Sequence, residues 1–405
     1  MSTPQPFIDS LTFFAKNRPS DCEKGFDIVI GNPPYIDSET MTLLGQEEMR
    51  AYIAKTYKYI KGNWDIYMAF MEQGLRLCPN GYLCFITPDK WLSRPFGAKF
   101  REFCMIPRMN SIAHTGNQTF KSAMVDAIIT LFKPKSASIA AYKFNAKGEP
   151  VHMNTTKSSS ISKPFLIDSL FSPYLGLVEK IEASSKCRFD NIAQCEGACA
   201  THDAYELIPF VKEAVGVVDL TTHLKVVNTG TLSKFFCRWG EKELTYLGNK
   251  ILHPVVSIDD FKQSFGASYV TKSLSKKIIF KGLNLLDGFI DYDHEYLPAK
   301  TTLVICSESN DVLRLLCGII NSELAIFYIK AKYASSSFCG GITFTKDMIN
   351  SFPIPDDRER QEQIATIVSA IESSSLLEHT EELNSAVFQL YKLNDDDVKT
   401  IKSAQ

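Results

Sequence analysis

The sequence predicts an α/β protein whose first third forms a mostly parallel sheet, and three observations carry that reading. Short apolar runs alternate with segments of helical period from Phe26 to Lys133. The runs stop at turn signals, "FDIVIG" at Asn32-Pro33-Pro34 and "YLCFITP" at Pro88-Asp89. With 405 residues, 45% of them hydrophobic, the chain can bury substantial cores and divides by length into two or three domains.

Each element follows from its local pattern. "FDIVIG" is an apolar run of strand length that delivers its C-terminal end to Asn-Pro-Pro-Tyr. "WDIYMAFMEQGLRLC" spaces Ile66, Ala69, Phe70 and Leu77 on a helical period, and "PNG" stops it. "YLCFITP" is the next strand, "AKFREFC" a short helix, and "MNSIAHTG" and "VDAIITLFK" two further strands. Ligands of parallel sheets sit beyond the strand C-termini, where both "GNPPY" and "TPDKW" fall.

Beyond Lys133 the texture turns to Ser, Lys, Thr and Pro, and residues 136–165 read as a linker after a first domain of 1–135. Residues 166–355 mix strand-like runs ("HLKVVN", "SKKIIFKG", "TTLVIC") with one long helix, "DVLRLLCGIINSELAIFYIKA". After "SFPIP", residues 356–405 hold two amphipathic helices, with Ile364, Ile367, Val368 and Ile371 on one face of the first. No internal repeat is visible.

Charge and cysteines narrow the classes. The net charge is −2, yet the segment from Asp356 onward has 11 acidic and 5 basic residues, so the body before it is mildly basic and permits nucleic-acid binding. The 11 cysteines form no Cys-x-x-Cys pair, which fits a reduced compartment, and a cytoplasmic location is expected. Cys195, Cys199 and His202 are a lone triplet without a second half, so no metal site is expected. No run approaches the roughly 18 to 20 apolar residues of a membrane span, and the start shows no secretory signal pattern.

Asn32-Pro33-Pro34-Tyr35 after a strand resembles motif IV of the amino-group methyltransferases, and its chemistry concerns an exocyclic amine. The lone pair of the adenine N6 nitrogen is delocalised into the ring. An Asn side-chain oxygen and the following Pro carbonyl can accept both amine hydrogens and favour a more pyramidal, more nucleophilic nitrogen. The prolines hold these acceptors rigidly. An aromatic Tyr offers a platform for a base taken out of the duplex. The bland alternative is a Pro pair that merely ends a strand.

The resemblance extends to the γ-class, TaqI-like N6-adenine DNA methyltransferases that carry a C-terminal target-recognition domain. "DIYMAFMEQGLRLCPNGYLCFITPDKWL", "AKFREFC" and "HTGNQTFKSAMVDAIITLF" are similar to that family's motif V to VIII blocks, and "GIINSELAIFYIKAKY" with "FTKDMINSFPIPDDRERQEQIATIV" to the end of its recognition domain. It implies the C-terminal part of a Rossmann-like methyltransferase sheet, then an α+β recognition domain and C-terminal helices. It also implies S-adenosylmethionine as cofactor, no metal, and double-stranded DNA as partner.

One departure is large. The family's glycine-rich cofactor loop lies upstream of motif IV, and the 31 residues before Asn32 contain no Phe-x-Gly-x-Gly sequence. "FCGG" before Ile342 does not lie between a strand and a helix. "IDSL" at Ile8 to Leu11 resembles motif III, as though the chain starts there. The expectation is a split methyltransferase, in which a second polypeptide supplies the loop and the strand flanking "DIVIG", whose edge must otherwise stay unpaired.

The resemblance assigns roles residue by residue. Asn32 and Pro33 hold the amine, Pro34 stiffens the turn, and Tyr35 stacks on the base. Phe120 packs on the base's other face or edge, or is a core residue. Asp9 and Phe70 line the cofactor adenine, or are respectively a cap and a core residue. Within the recognition region, Lys272, Lys276, Lys277 and Lys281 are phosphate-contact candidates against the alternative of a solvated face, and "ASSSFCGGITF" is a DNA-facing loop candidate. Two other functions stay open: a DNA-binding specificity module without activity, and a methyltransferase acting on protein glutamine or RNA. No Asp…Glu-x-Lys cluster beside a strand supports a nuclease.

Overall fold

The computed structural model describes residues 25–62, 64–115, 127–161, 165–246, 248–334, 341–374 and 379–404. The chain forms two compact units, residues 1–175 with 331–340, and residues 176–330 with 341–405.

Among the described residues unit one has six strands: β1 (Ile28–Gly31), β2 (Tyr82–Pro88), β3 (Met109–His114), β4 (Ala127–Phe132), β5 (Ser138–Phe144) and β6 (Pro150–Lys157). Their order across the sheet is β1-β2-β4-β3-β5-β6. Helix α1 (Ser38–Leu43), α2 (Glu47–Thr56) and α3 (Ile66–Leu77) lie between β1 and β2 in the chain. The Asp65 carboxylate caps the first turn of α3, accepting from Tyr67 N at 3.4 Å. Buried Tyr67, Met68, Met71 and Leu75 then face a core that also holds Leu83, Phe85, Ile112 and Ile128 from the sheet. The short helix foreseen at "AKFREFC" is a turn at Ala98–Phe100 running into a π-type turn at Arg101–Met105.

The sheet is mixed rather than mostly parallel. β1–β2 and β3–β5 are parallel, whereas β2–β4, β3–β4 and β5–β6 are antiparallel. A parallel pair needs a crossover of a dozen or more residues, and the turn from Asn145 to Glu149 between β5 and β6 is far shorter. Two of these strands lie in the segment read as a linker. Its Ser, Thr and Lys content has a physical cause: β6 closes the sheet edge with most of its side chains in water, and β5 buries only Ile139 and Ala141. The turn is held by the Asn145 side chain, whose Oδ1 accepts from Lys147 N at 2.9 Å and Glu149 N at 3.0 Å.

At the opposite edge, β1 pairs only with β2 among the described strands. Ile28 and Ile30 are 62% and 76% exposed, and Tyr82 beside Ile28 is 49% exposed.

Unit two holds two four-stranded sheets. The first runs β13 (Tyr296–Pro298), β9 (His223–Val227), β10 (Pro254–Ser257), β8 (Lys212–Glu213) in spatial order. The second runs β12 (Gly288–Asp291), β11 (Lys277–Lys281), β14 (Thr302–Cys306), β7 (Cys195–Gly197), all antiparallel. The long helix foreseen after Asp311 is broken at Ser322, where the backbone is extended, giving α4 (Asn310–Asn321) and a second helix, Glu323–Lys332. Helices α5 (Arg358–Ser374) and α6 (Thr380–Leu390) pack with α4 in this same unit rather than forming a separate segment. No single described helix is long and apolar enough to cross a membrane.

Candidate functional site

The site grows from the end of β1. Gly31 pairs with Phe85 of β2, and the chain leaves the sheet as Asn32-Pro33-Pro34-Tyr35, with Pro33 buried, Asn32 and Pro34 exposed, and Tyr35 half-buried. The Tyr35 hydroxyl lies 3.0 Å from Asn32 Oδ1 and 3.3 Å from the Ile86 carbonyl of β2, and its proton can serve either acceptor. An amide oxygen has two lone pairs, so Asn32 Oδ1 keeps one for a second donor. The Tyr35 ring meets Tyr67 of α3 edge to face, centroids 6.3 Å apart.

A second set of bonds fastens this loop to the start of α3. Asp65 Oδ1 accepts from Ile36 N at 3.0 Å, Ile66 N donates to Ile36 O at 3.0 Å, and Ser38 N donates to Trp64 O at 2.9 Å. Burial pushes the Asp65 carboxyl up to about 6, while the Tyr67 and Ile36 amides and the Lys90 charge pull it down. Tyr35 is raised as well, by burial first and then by Asp65. Beyond β2, Trp91 Nε1 donates to Thr87 Oγ1 at 3.1 Å, which fixes the "TPDKW" turn. The ends of β1 and β2 thus present an acceptor, Asn32, and a half-buried ring, Tyr35, on a loop held at both sides. Sequence reasoning missed Asp65 as the clasp, although an Asp directly before an apolar helix is a capping signal.

The other foreseen residues divide. Asp9 and Phe120 lie outside the described residues, as does most of the "ASSSFCGGITF" loop. Phe70 is on α3, partly buried against the unit-one core. Among the described residues no Phe-x-Gly-x-Gly sequence follows a strand.

The lysine cluster corrects its own reading. Lys277 is fully buried; its Nζ donates to Asp291 Oδ2 at 2.5 Å and Ser273 O at 2.7 Å, so its ammonium does not reach solvent. Lys281 pairs with Asp287 at 2.7 Å and Lys272 with Glu196 at 3.1 Å, both with little exposed side chain. Lys272 lies on the helix Ala267–Ser273, Lys276 is half-buried just before β11, and Lys277 and Lys281 share one face of a strand buried along nearly its whole length, so their spacing in the sequence did not mark which ammonium groups are paired. Cys195, Cys199 and His202 do not converge either: Cys195 is buried, burial pushes the Cys199 thiol up to about 11, and His202 pairs with Glu206.

Residues 5–120 match the family model for the Eco57I restriction-modification methylases. The chain is 33% identical over 100 residues to the type II restriction enzyme and methyltransferase RM.Eco57I of Escherichia coli, covering 24% of this chain and 10% of that protein. It is 26% identical over 130 residues to the type II methyltransferase M.TthHB8I of Thermus thermophilus, 31% of this chain and 30% of that one. With M.XhoI of Xanthomonas vasicola it shares 32% identity over 122 residues, 28% and 21% of the two. These matches span less than a third of each relative's length. The type IIL restriction-modification enzyme MmeI, solved in complex with DNA, shares the fold over 92% of this chain and 56% of its own, with a TM-score of 0.52 at 12% identity. The first third of the chain is therefore similar in sequence to restriction-modification methyltransferases, and the likeness includes the segment that carries Asn32 and Tyr35.

Proposed function

We propose that this chain belongs to a restriction-modification-type DNA methyltransferase that acts on the N6 amine of adenine, with S-adenosylmethionine as methyl donor. The observation that carries this reading is Asn32-Pro33-Pro34-Tyr35 at the end of β1, with Tyr35 hydrogen-bonded to Asn32 and the following residue clasped to Asp65. Asn32 Oδ1 and the Pro33 carbonyl accept the two amine hydrogens and pull the nitrogen lone pair out of conjugation. Tyr35 stacks on the extruded base, a contact worth roughly 1–3 kcal/mol. The cofactor would supply an electrophilic methyl group on a sulfonium, and the departure of a neutral thioether makes transfer favourable without a protein base. The amine proton is shed to solvent afterwards.

The cofactor cradle belongs, in this reading, to a second polypeptide that brings a glycine loop and a strand to the edge of β1 that has no partner among the described strands. The exposed Ile28 and Ile30 support it, because such an apolar edge invites strand addition. Unit two supplies DNA recognition, a role that its fold likeness to a DNA-bound restriction-modification enzyme makes reasonable.

The test is a methylation assay with cofactor calorimetry, run on the chain alone and mixed with a polypeptide carrying the loop. The mixture is expected to bind cofactor and methylate adenine, the chain alone to do neither. In the active mixture, Asn32→Ala is expected to lower the rate at least about 10²-fold with DNA affinity nearly unchanged. A mutant that methylates at the wild-type rate removes Asn32 from the chemistry, and an isolated chain that methylates unaided removes the second polypeptide.

A further inference from the structure

A basic groove with Phe96 in its lining lies in unit one, on residues other than those of the Asn32 loop and outside the recognition region. A cavity of about 540 Å³ is lined by Lys61, Gly62, Pro95, Phe96, Ala98 and Lys99; two of these side chains are cationic and none is acidic. Lys61 and Lys99 are exposed. The same two segments carry further rings and a cation outside the lining. Four residues beyond Lys99, the Phe103 ring stacks on Tyr59 with centroids 5.3 Å apart and planes 20° off parallel, yet Phe103 remains 53% exposed. Lys58 Nζ sits 5.4 Å from the Tyr59 ring centroid.

The walls are rigid. Ile60 and Phe100, 1% and 0% exposed, anchor the two segments in the core. Arg101, itself fully buried, donates to the carbonyls of Trp91 at 2.6 Å, Arg94 at 3.0 Å and Phe165 at 2.7 Å, so it staples the turn that presents Pro95 and Phe96. That turn is close-packed: a Cβ on Gly97 would stand 2.5 Å from the Trp91 carbonyl. Each segment also leads directly to the candidate site. Residues 58–62 run into Trp64 and Asp65, which hold the Asn32 loop, and residues 91–101 follow the "TPDKW" turn at the end of β2.

Resting on the methyltransferase reading, we propose that this groove is a sequence-independent contact for the DNA backbone beside the reacting base. Lys58, Lys61 and Lys99 meet phosphates, and the exposed ring of Phe103 meets an adjoining sugar or unstacked base. Cations interleaved with planar rings match a strand in which phosphates alternate with bases. A rigid contact next to the site fixes the backbone on which the target nucleotide turns, which recognition from unit two alone does not do.

The experiment measures affinity of the full chain, in whichever assembly is active, for duplex oligonucleotides of related and unrelated sequence across a range of NaCl. The double variant Lys61→Glu/Lys99→Glu is expected to bind both sequences at least about ten-fold more weakly at low salt. The slope of log affinity against log salt is expected to shrink by about two, near 0.9 per lost phosphate contact. Lys61→Gln/Lys99→Gln, which preserves size, gives the same slope change if the charges act on phosphates and guards against a folding defect. Phe103→Ala is expected to weaken binding of a duplex with an unpaired adenine by about 5- to 150-fold. A wild-type slope in both double variants overturns the proposal, as does a preference for duplex RNA over duplex DNA. An unchanged slope with methylation still sensitive to Asn32 rejects the groove alone; a changed slope with no methylation in any mixture rejects the catalytic reading alone.

Discussion

Asp65 illustrates how one side chain sets the geometry of another. It receives the Ile36 amide directly after Tyr35 and also starts α3. Burial raises its carboxyl to about 6, above its ordinary value of 3.8, so the folded state holds this proton more tightly than the unfolded chain. The sign follows: this group's contribution to stability falls as pH rises from about 4 to about 6, because the buried carboxylate must then be charged. Asp65→Asn keeps an oxygen for the Ile36 amide and removes the charge. Urea denaturation is expected to show the variant gaining on wild type across that window, and parallel pH profiles would refute it. Asp65→Ala, which leaves the amide without its acceptor, is expected to lose about 1–3 kcal/mol below about pH 4, and less as pH rises to about 6, because wild type alone must then bury a charge. The sequence showed Asp65 only as a helix start. Its partnership with Ile36 spans 29 residues and depends on β1 and α3 being packed together.

Among the elements, α4 packs closely against the C-terminal helices. A Cβ built on Gly318 of α4 would lie 2.8 Å from Ile364 Cγ2, 3.0 Å from Val368 Cγ2 and 3.3 Å from Leu383 Cδ1. Glycine in mid-helix costs about 1 kcal/mol relative to alanine, and close approach of the neighbouring helix offsets that cost here. Gly318→Leu is expected to destabilise by about 1–3 kcal/mol through overpacking, read as a lower denaturation midpoint; a midpoint at or above wild type would show that the contact is loose. The strands of 26–133 and the helix after Asp65 were legible because each carries its own period and stop signal, whereas α1 and α2, between the Asn32 loop and Trp64, went unread. The β5–β6 hairpin was not, since an edge strand bathed in water has the composition of a linker. The break at Ser322 was also hidden, because apolar residues run on both sides of it.

For the whole molecule, the acidic C-terminal helices are part of a folded core. Ile364, Ile367, Val368 and Ile371 of α5 and Leu383 and Val387 of α6 are all buried. At about 1.5–3 kcal/mol each, these six rival the entire stability of a domain, about 5–15 kcal/mol. Ending the chain before Asp356 is therefore expected to give an insoluble or dye-binding product with no cooperative melt of unit two. A soluble truncate that melts normally and has lost only DNA affinity would instead make these helices a DNA contact.

What the sequence determined by itself was local: the strand running into Asn32-Pro33-Pro34-Tyr35, the helix behind Asp65, the amphipathic face of α5, and through the motif the class of chemistry to test. These signals depend on residues a few positions apart. Tertiary structure alone decided the strand order, the antiparallel pairings, the burial of Lys277 against Asp291, the meeting of Lys61 with Lys99 in one groove and the stacking of Phe103 on Tyr59. Such contacts join segments distant in the chain, and whether a lysine faces water or a carboxylate depends on what folds over it rather than on its neighbours in sequence.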